Sequence, residues 1–68
     1  METQKFTSSY GDNLTITNSE LVVTNKFGNT YKGWLNENGK VVTKSKMGLG
    51  YLVRAYREFN DTAWAVCI

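Results

Sequence analysis

The side chains of this chain that could do chemistry are cations and aromatics, not the usual catalytic sets. Histidine is absent, which removes the commonest general base and the commonest metal ligand. The single cysteine, Cys67, has no histidine to activate it and no second thiol with which to share a zinc ion. It reads as a small core residue. Of the six carboxylates, Asp12, Glu20, Glu37 and Asp61 fall in or beside turn-rich stretches, where acids favour turn geometry and solvation. No serine or threonine has an evident base. The expectation is therefore a non-enzymatic chain, with no cofactor and no metal.

The cations are unevenly spread. Residues 1–25 and 58–68 each sum to −2, whereas residues 26–57 sum to +6, giving the net +2. Such segregation suits electrostatic binding. The densest stretch is Thr43-Lys44-Ser45-Lys46-Met47-Gly48-Leu49-Gly50. Lysines normally avoid a helix N-terminus, where the macrodipole is positive, yet Lys44 and Lys46 crowd that end. Free N–H groups, a positive dipole and two ammonium groups suit an anion such as phosphate. The order G-x-x-x-x-G-K-[ST] of a Walker loop is missing. The competing reading is that Gly48 and Gly50 allow the helix to sit close on the sheet and the lysines are solvated.

Lys46, Gly50, Arg54 and Arg57 follow at spacings of four, four and three, which is one stripe of a helix. Glu58 can pair with Arg54 at i, i+4. Lys32 and Trp34 share one face of an alternating segment. An exposed Trp34 beside Lys32 would be a binding hot spot or a base-stacking platform. A sheet covered on both faces would instead bury it.

These side chains need elements to position them. Lys5 to Ser8 reads as a weak strand around Phe6. Leu14-Thr15-Ile16-Thr17 alternates apolar and polar, the mark of a half-buried strand. Asn18-Ser19 suits a tight connection to Leu21–Thr24. Turn-rich breaks stand at 9–13 and 25–29. Thr30 to Asn36 is a strand, and Asn38-Gly39 predicts a two-residue type I′ turn back to Val41–Thr43. That turn sets Glu37 against Lys40, Leu35 against Val42 and Trp34 against Thr43. The period then changes. Leu49, Leu52, Val53, Tyr56 and Phe59 define one face of a helix over about 46–60, with Ser45 as N-cap and Asn60 as a left-handed C-terminal residue. Thr62 to Ile68 is apolar on both faces and reads as an interior strand, with Trp64 in the core.

The expected architecture is a single α+β domain over residues 1–68. It is a small twisted, mainly antiparallel sheet of four to five strands with one helix on one face, in the order β-β-β-β-α-β. Met1 to Ser9 is polar around Phe6, so neither a leader nor a membrane span is expected and the expected compartment is the cytoplasm.

Tyr31-Lys32-Gly33-Trp34, the Asn38-Gly39-Lys40 turn and the basic helix after it make residues Tyr31 to Tyr56 resemble the sheet-plus-helix DNA-binding domains of phage-type integrases and plant AP2 proteins. Those domains read the major groove with the sheet, so the resemblance implies DNA contact through this one. The chain departs from them in carrying further strands before and after, and few strand arginines. Small freestanding chains of this size are also a usual format for phage or mobile-element proteins that disable a host enzyme. Two functions follow as expectations. One is docking on a partner protein, as a modulator or inhibitor, with self-association allowed by the small core. The other is nucleic-acid binding through phosphates. Both draw on Lys32, Trp34, Lys44, Lys46, Arg54 and Arg57.

Overall fold

A computed structural model describes residues 3–60 and 65–67. Strands β1 (Thr3–Thr7), β2 (Asn13–Thr17), β3 (Glu20–Thr24), β4 (Thr30–Leu35) and β5 (Val41–Thr43) precede helix α1 (Lys46–Phe59), and β6 (Ala65–Cys67) follows it. The α+β class, the mainly antiparallel sheet and the single helix are as expected. The sheet runs to six strands, because the segment around Phe6 pairs along five residues with β2. Its order is β1-β2-β3-β4-β5-β6. Neighbours are antiparallel up to β5, and β6 runs parallel to β5. The last strand is thus at the sheet edge and not interior. A strand that returns from a helix beside its predecessor runs parallel to it, and here β4 already occupies the other side of β5. Trp64, expected in the core, lies outside the described residues, as do Asp61 and the Cys67 side chain.

Three of the four hairpin loops close in one way. The stretches Ser8-Ser9-Tyr10-Gly11-Asp12, Asn25-Lys26-Phe27-Gly28-Asn29 and Asn36-Glu37-Asn38-Gly39-Lys40 share it. In each, the N–H of the first residue donates to the carbonyl of the fifth, at 2.8, 2.9 and 3.0 Å. The glycine N–H donates to the carbonyl of the first, at 3.0, 3.0 and 2.9 Å. The side-chain oxygen of the first, Ser8 Oγ, Asn25 Oδ1 or Asn36 Oδ1, accepts from the N–H groups of the third and fifth. The glycines take φ of 87°, 89° and 78°, the left-handed residue that ends a three-residue hairpin loop.

This closure overturns the two-residue turn expected at Asn38-Gly39. Because the Asn36 side chain holds Asn38 and Lys40, the loop gains a residue. Leu35 then faces Val41, and Trp34 faces Val42. A one-residue slip exchanges the faces of a strand, so Val42 joins Trp34 on the side away from the helix.

The helix side of the sheet carries Leu14, Ile16, Leu21, Val23 and Val41, which bury with Leu52, Ala55 and Tyr56 into one core. Phe6, Tyr31, Leu35 and Tyr51 pack at its margin. The buried helix face therefore centres on Gly48, Leu52, Ala55 and Tyr56, and Leu49 and Val53 are half-buried at its flank. Glycine decides this rotation. A Cβ on Gly48 would sit 2.8 Å from Tyr31 Cβ, and one on Gly33 would sit 2.9 Å from Leu52 Cδ1 and 2.8 Å from the Val42 carbonyl. The helix starts over β4 and ends over β1, where Phe59 meets Phe6 edge-on at 6.0 Å. Ser45 caps it as expected, its Oγ accepting from Gly48 N–H at 2.9 Å. Asn60 is extended (φ −142°) and not left-handed. Its N–H donates to the Tyr56 carbonyl, so the final turn closes without that geometry.

No helix among the described residues covers the opposite face. Cross-strand rows there read Thr3-Thr17-Glu20-Trp34-Val42, Lys5-Thr15-Val22-Lys32 and Thr7-Asn13-Thr24-Thr30. Hydroxyl pairs Thr3–Thr17 at 3.1 Å and Thr24–Thr30 at 3.2 Å tie neighbouring strands.

A Cβ on Gly50 would meet no atom within 4 Å, and the residue is exposed. Gly50→Ala should therefore stabilise the fold by about 0.5–1 kcal/mol. Gly33→Ala should destabilise it by about 1–3 kcal/mol through overpacking. Urea midpoints of the two variants against wild type check both signs, and equal shifts would refute the close-approach argument.

Candidate functional site

The six residues singled out from the sequence divide into two places. Lys32, Trp34 and Lys44 line a groove of about 440 Å³ together with Glu20, Thr30 and Ser45. β4 makes this groove because β5 is short. Pairing between the two covers Trp34 and Leu35, and the start of β4 lies beyond the last β5 residue, Thr43. Thr43 Oγ1 covers part of that gap by donating to the Lys32 carbonyl at 2.8 Å, and it accepts from Ser45 N–H at 3.2 Å. The chain then leaves the sheet into α1. Lys46, the first helical residue, is exposed, and the first turn contains no acid. Trp34 is 38% exposed, so its ring forms a groove wall and is not core. The N-terminal end of α1, Lys32, Lys44 and Lys46 give this region a positive character, offset by Glu20.

Gly48 is spent on packing against Tyr31, as the packing alternative for the two glycines requires. Gly50 is open. The packing reading therefore holds at Gly48 and not at Gly50.

Arg54 is elsewhere and already engaged. Its Nη2 and Nε donate to Asp12 Oδ2 at 2.7 and 3.2 Å, and its guanidinium carbon lies 4.2 Å from the Tyr10 ring centre and 5.2 Å from that of Tyr51. Its pKa is raised above the ordinary value, chiefly by its hydrogen bond to Asp12, so it stays cationic. The expected Arg54–Glu58 pair is replaced. Glu58 accepts from Ser9 N–H at 2.8 Å and from Ser9 Oγ at 3.0 Å, because the oblique crossing of α1 sets its last turns over the first hairpin loop. Arg57 lies near Arg54, Tyr10 and Glu58 at the rim of a separate hollow. The continuous ridge from Lys44 to Arg57 is thus broken at Arg54, whose charge is met by Asp12.

Asp12 corrects the reading of turn acids as solvated. It is 1% exposed, held by Arg54 and by its own N–H donating to Ser8 Oγ at 3.1 Å. Around it a second cavity of about 240 Å³ is lined by Tyr10, Asn25, Phe27 and Tyr51, with Lys26 and Arg54. Sequence reasoning misses this constellation. Its one available signal is the repeated pattern of a serine or asparagine three residues before glycine, which marks Ser8 and Asn25 as loop closers. Nothing in the sequence places Asp12 under Arg54, a contact between residues 42 apart.

No group of three carboxylate or thiol side chains that could hold a metal ion occurs among the described residues, and no helix among them is long and apolar enough to cross a membrane.

Arg54→Ala should lower the thermal midpoint clearly, because it leaves the Asp12 carboxylate buried without its cation. Lys44→Ala, which removes an exposed charge, should leave the midpoint near wild type. A calorimetric scan of both variants decides it; an unchanged midpoint for Arg54→Ala would mean the ion pair contributes nothing.

No protein-family model, curated protein or solved structure matches the chain. The likeness of Tyr31–Tyr56 to integrase and AP2 domains accordingly rests on the hairpin and helix alone.

Proposed function

We propose that the chain is a non-catalytic binding module that docks on a partner protein, and modulates it, by holding an acidic extended segment in the groove beside β4. The observation that carries this reading is Trp34, 38% exposed, walling a groove whose lining also includes Lys32 and Lys44. An exposed indole flanked by cations is the composition of an interface hot spot. The start of β4 has no paired strand on its β5 side among the described residues. An extended peptide lying there gains main-chain hydrogen bonds as well as side-chain contacts. Lys44, Lys46 and the acid-free first turn of α1 favour carboxylates at one end of such a peptide.

Nucleic-acid binding is the second reading, supported by the Lys5 and Lys32 side chains in one row of the open sheet face beside Trp34. It is weaker because Arg54 is occupied by Asp12. Phosphate contacts depend steeply on the number of available cations.

The sequence contains two tryptophans, so Trp34→Phe assigns the Trp34 indole N–H signal in a nitrogen-correlated NMR spectrum. Titration with glutamate-rich peptides in extended sequences should move that signal saturably. Lys32→Glu combined with Lys44→Glu should weaken the binding by about tenfold or more. If random-sequence oligonucleotides move the signal and the peptides do not, the second reading replaces the first. If neither moves it, both fall.

A further inference from the structure

The second cavity is lined by two residues that each hold a buried polar atom without a partner among the described residues, Asp12 Oδ1 and Asn25 Nδ2. Asp12 and Asn25 are 1% and 3% exposed, and a buried polar group left unpaired is costly. The Asn25 amide is oriented by its neighbours. Its oxygen accepts from Phe27 N–H at 3.0 Å and Asn29 N–H at 2.9 Å, so its nitrogen is the atom left over, as a donor. In Asp12, Oδ2 is held by Arg54, so Oδ1 is left over as an acceptor. Two residues of one cavity lining thus hold a buried spare donor and a buried spare acceptor, each fixed by hydrogen bonds to the other atom of the same side chain.

A ligand that satisfies both must present an acceptor and an N–H donor. Every nucleobase carries such a pair on an edge. The cavity walls add three aromatic rings, Tyr10, Phe27 and Tyr51, which suit a flat heterocycle, and Lys26 in the same lining suits its phosphate. A simple carboxamide would satisfy the polar pair but leave the rings and Lys26 unused. Tyr10 and Phe27, 55% and 73% exposed, are the rings at the open side of this lining.

We infer that this cavity is a nucleotide site, in which Asp12 Oδ1 accepts from a base N–H and Asn25 Nδ2 donates to the neighbouring base acceptor. It is separate from the groove beside β4 and stands without the partner-docking reading.

The test is NMR titration of the whole chain with each of the four common ribonucleoside 5′-monophosphates, and separately with acetamide and inorganic phosphate. At least one nucleotide should shift the Asn25 side-chain NH₂ signals and the amides of the two adjoining loops saturably. Asn25→Ser deletes the donor but keeps a loop-closing oxygen, the role Ser8 has in the first loop. That variant should retain the wild-type pattern elsewhere and bind about tenfold more weakly, the loss of one hydrogen bond. Lys44→Ala should bind unchanged. The inference is overturned if no nucleotide produces saturable shifts, if phosphate or acetamide alone reproduces them, or if Asn25→Ser binds as wild type.

Discussion

The closeness of α1 to β4 governs much of what the rest of the molecule does. Two glycines, Gly33 beneath and Gly48 above, remove the side chains that would hold the layers apart. With that spacing set, Leu52 reaches the sheet and the helix axis crosses toward β1. Arg54 then comes to rest over Asp12 and Glu58 over the first hairpin loop. No helix of the described residues covers the other face of the sheet, and there Trp34 and a field of threonines meet solvent. That face relies on cross-strand hydroxyl pairs and half-buried aliphatic side chains such as Val22.

Charge is handled in two ways that serve different ends. Where the chain needs a rigid junction between hairpin loop and helix, it neutralises a cation by burying its counter-charge, Asp12 under Arg54. Where it presents cations outward, at Lys32, Lys44 and Lys46, the acid in the groove lining is Glu20. Composition alone makes these residues equivalent members of a +6 segment. The fold separates them into structural and presented sets, and only the latter are available to a partner without cost to stability.

Much of the fold is legible from local pattern. The alternation in Leu14–Thr17 and the period change after Thr43 follow from side-chain geometry within one element, so they survive translation into three dimensions. The Ser45 cap does too. What is not legible depends on side chains acting across elements or around a loop. An Asn-Gly pair is a strong two-residue turn signal in isolation, yet the Asn36 amide, bonding Asn38 and Lys40, lengthens the hairpin after Leu35 by one residue. The final strand reads as interior from its apolar faces, whereas its place follows from the path of the chain over α1. The groove residues Lys32 and Trp34 can be named from sequence because they share a strand face. The Asp12–Asn25 cavity cannot, since its parts come from two loops and a helix.

The shared closure of the three loops bears on how the chain reaches its native state. Each strand from β2 to β5 pairs with its immediate predecessor through a connection of two to five residues, and three of these connections carry their own hydrogen-bonded stop. Pairing over so short a sequence separation costs little loop-closure entropy, which favours rapid formation of the five-strand meander. The parallel contact of β6 with β5 spans the whole helix and bears the largest such cost in the sheet. Cooperativity between the meander and the α1–β6 unit therefore rests on the glycine-mediated seam between layers. A lesion at that seam would uncouple the late-forming unit while the meander keeps its local order.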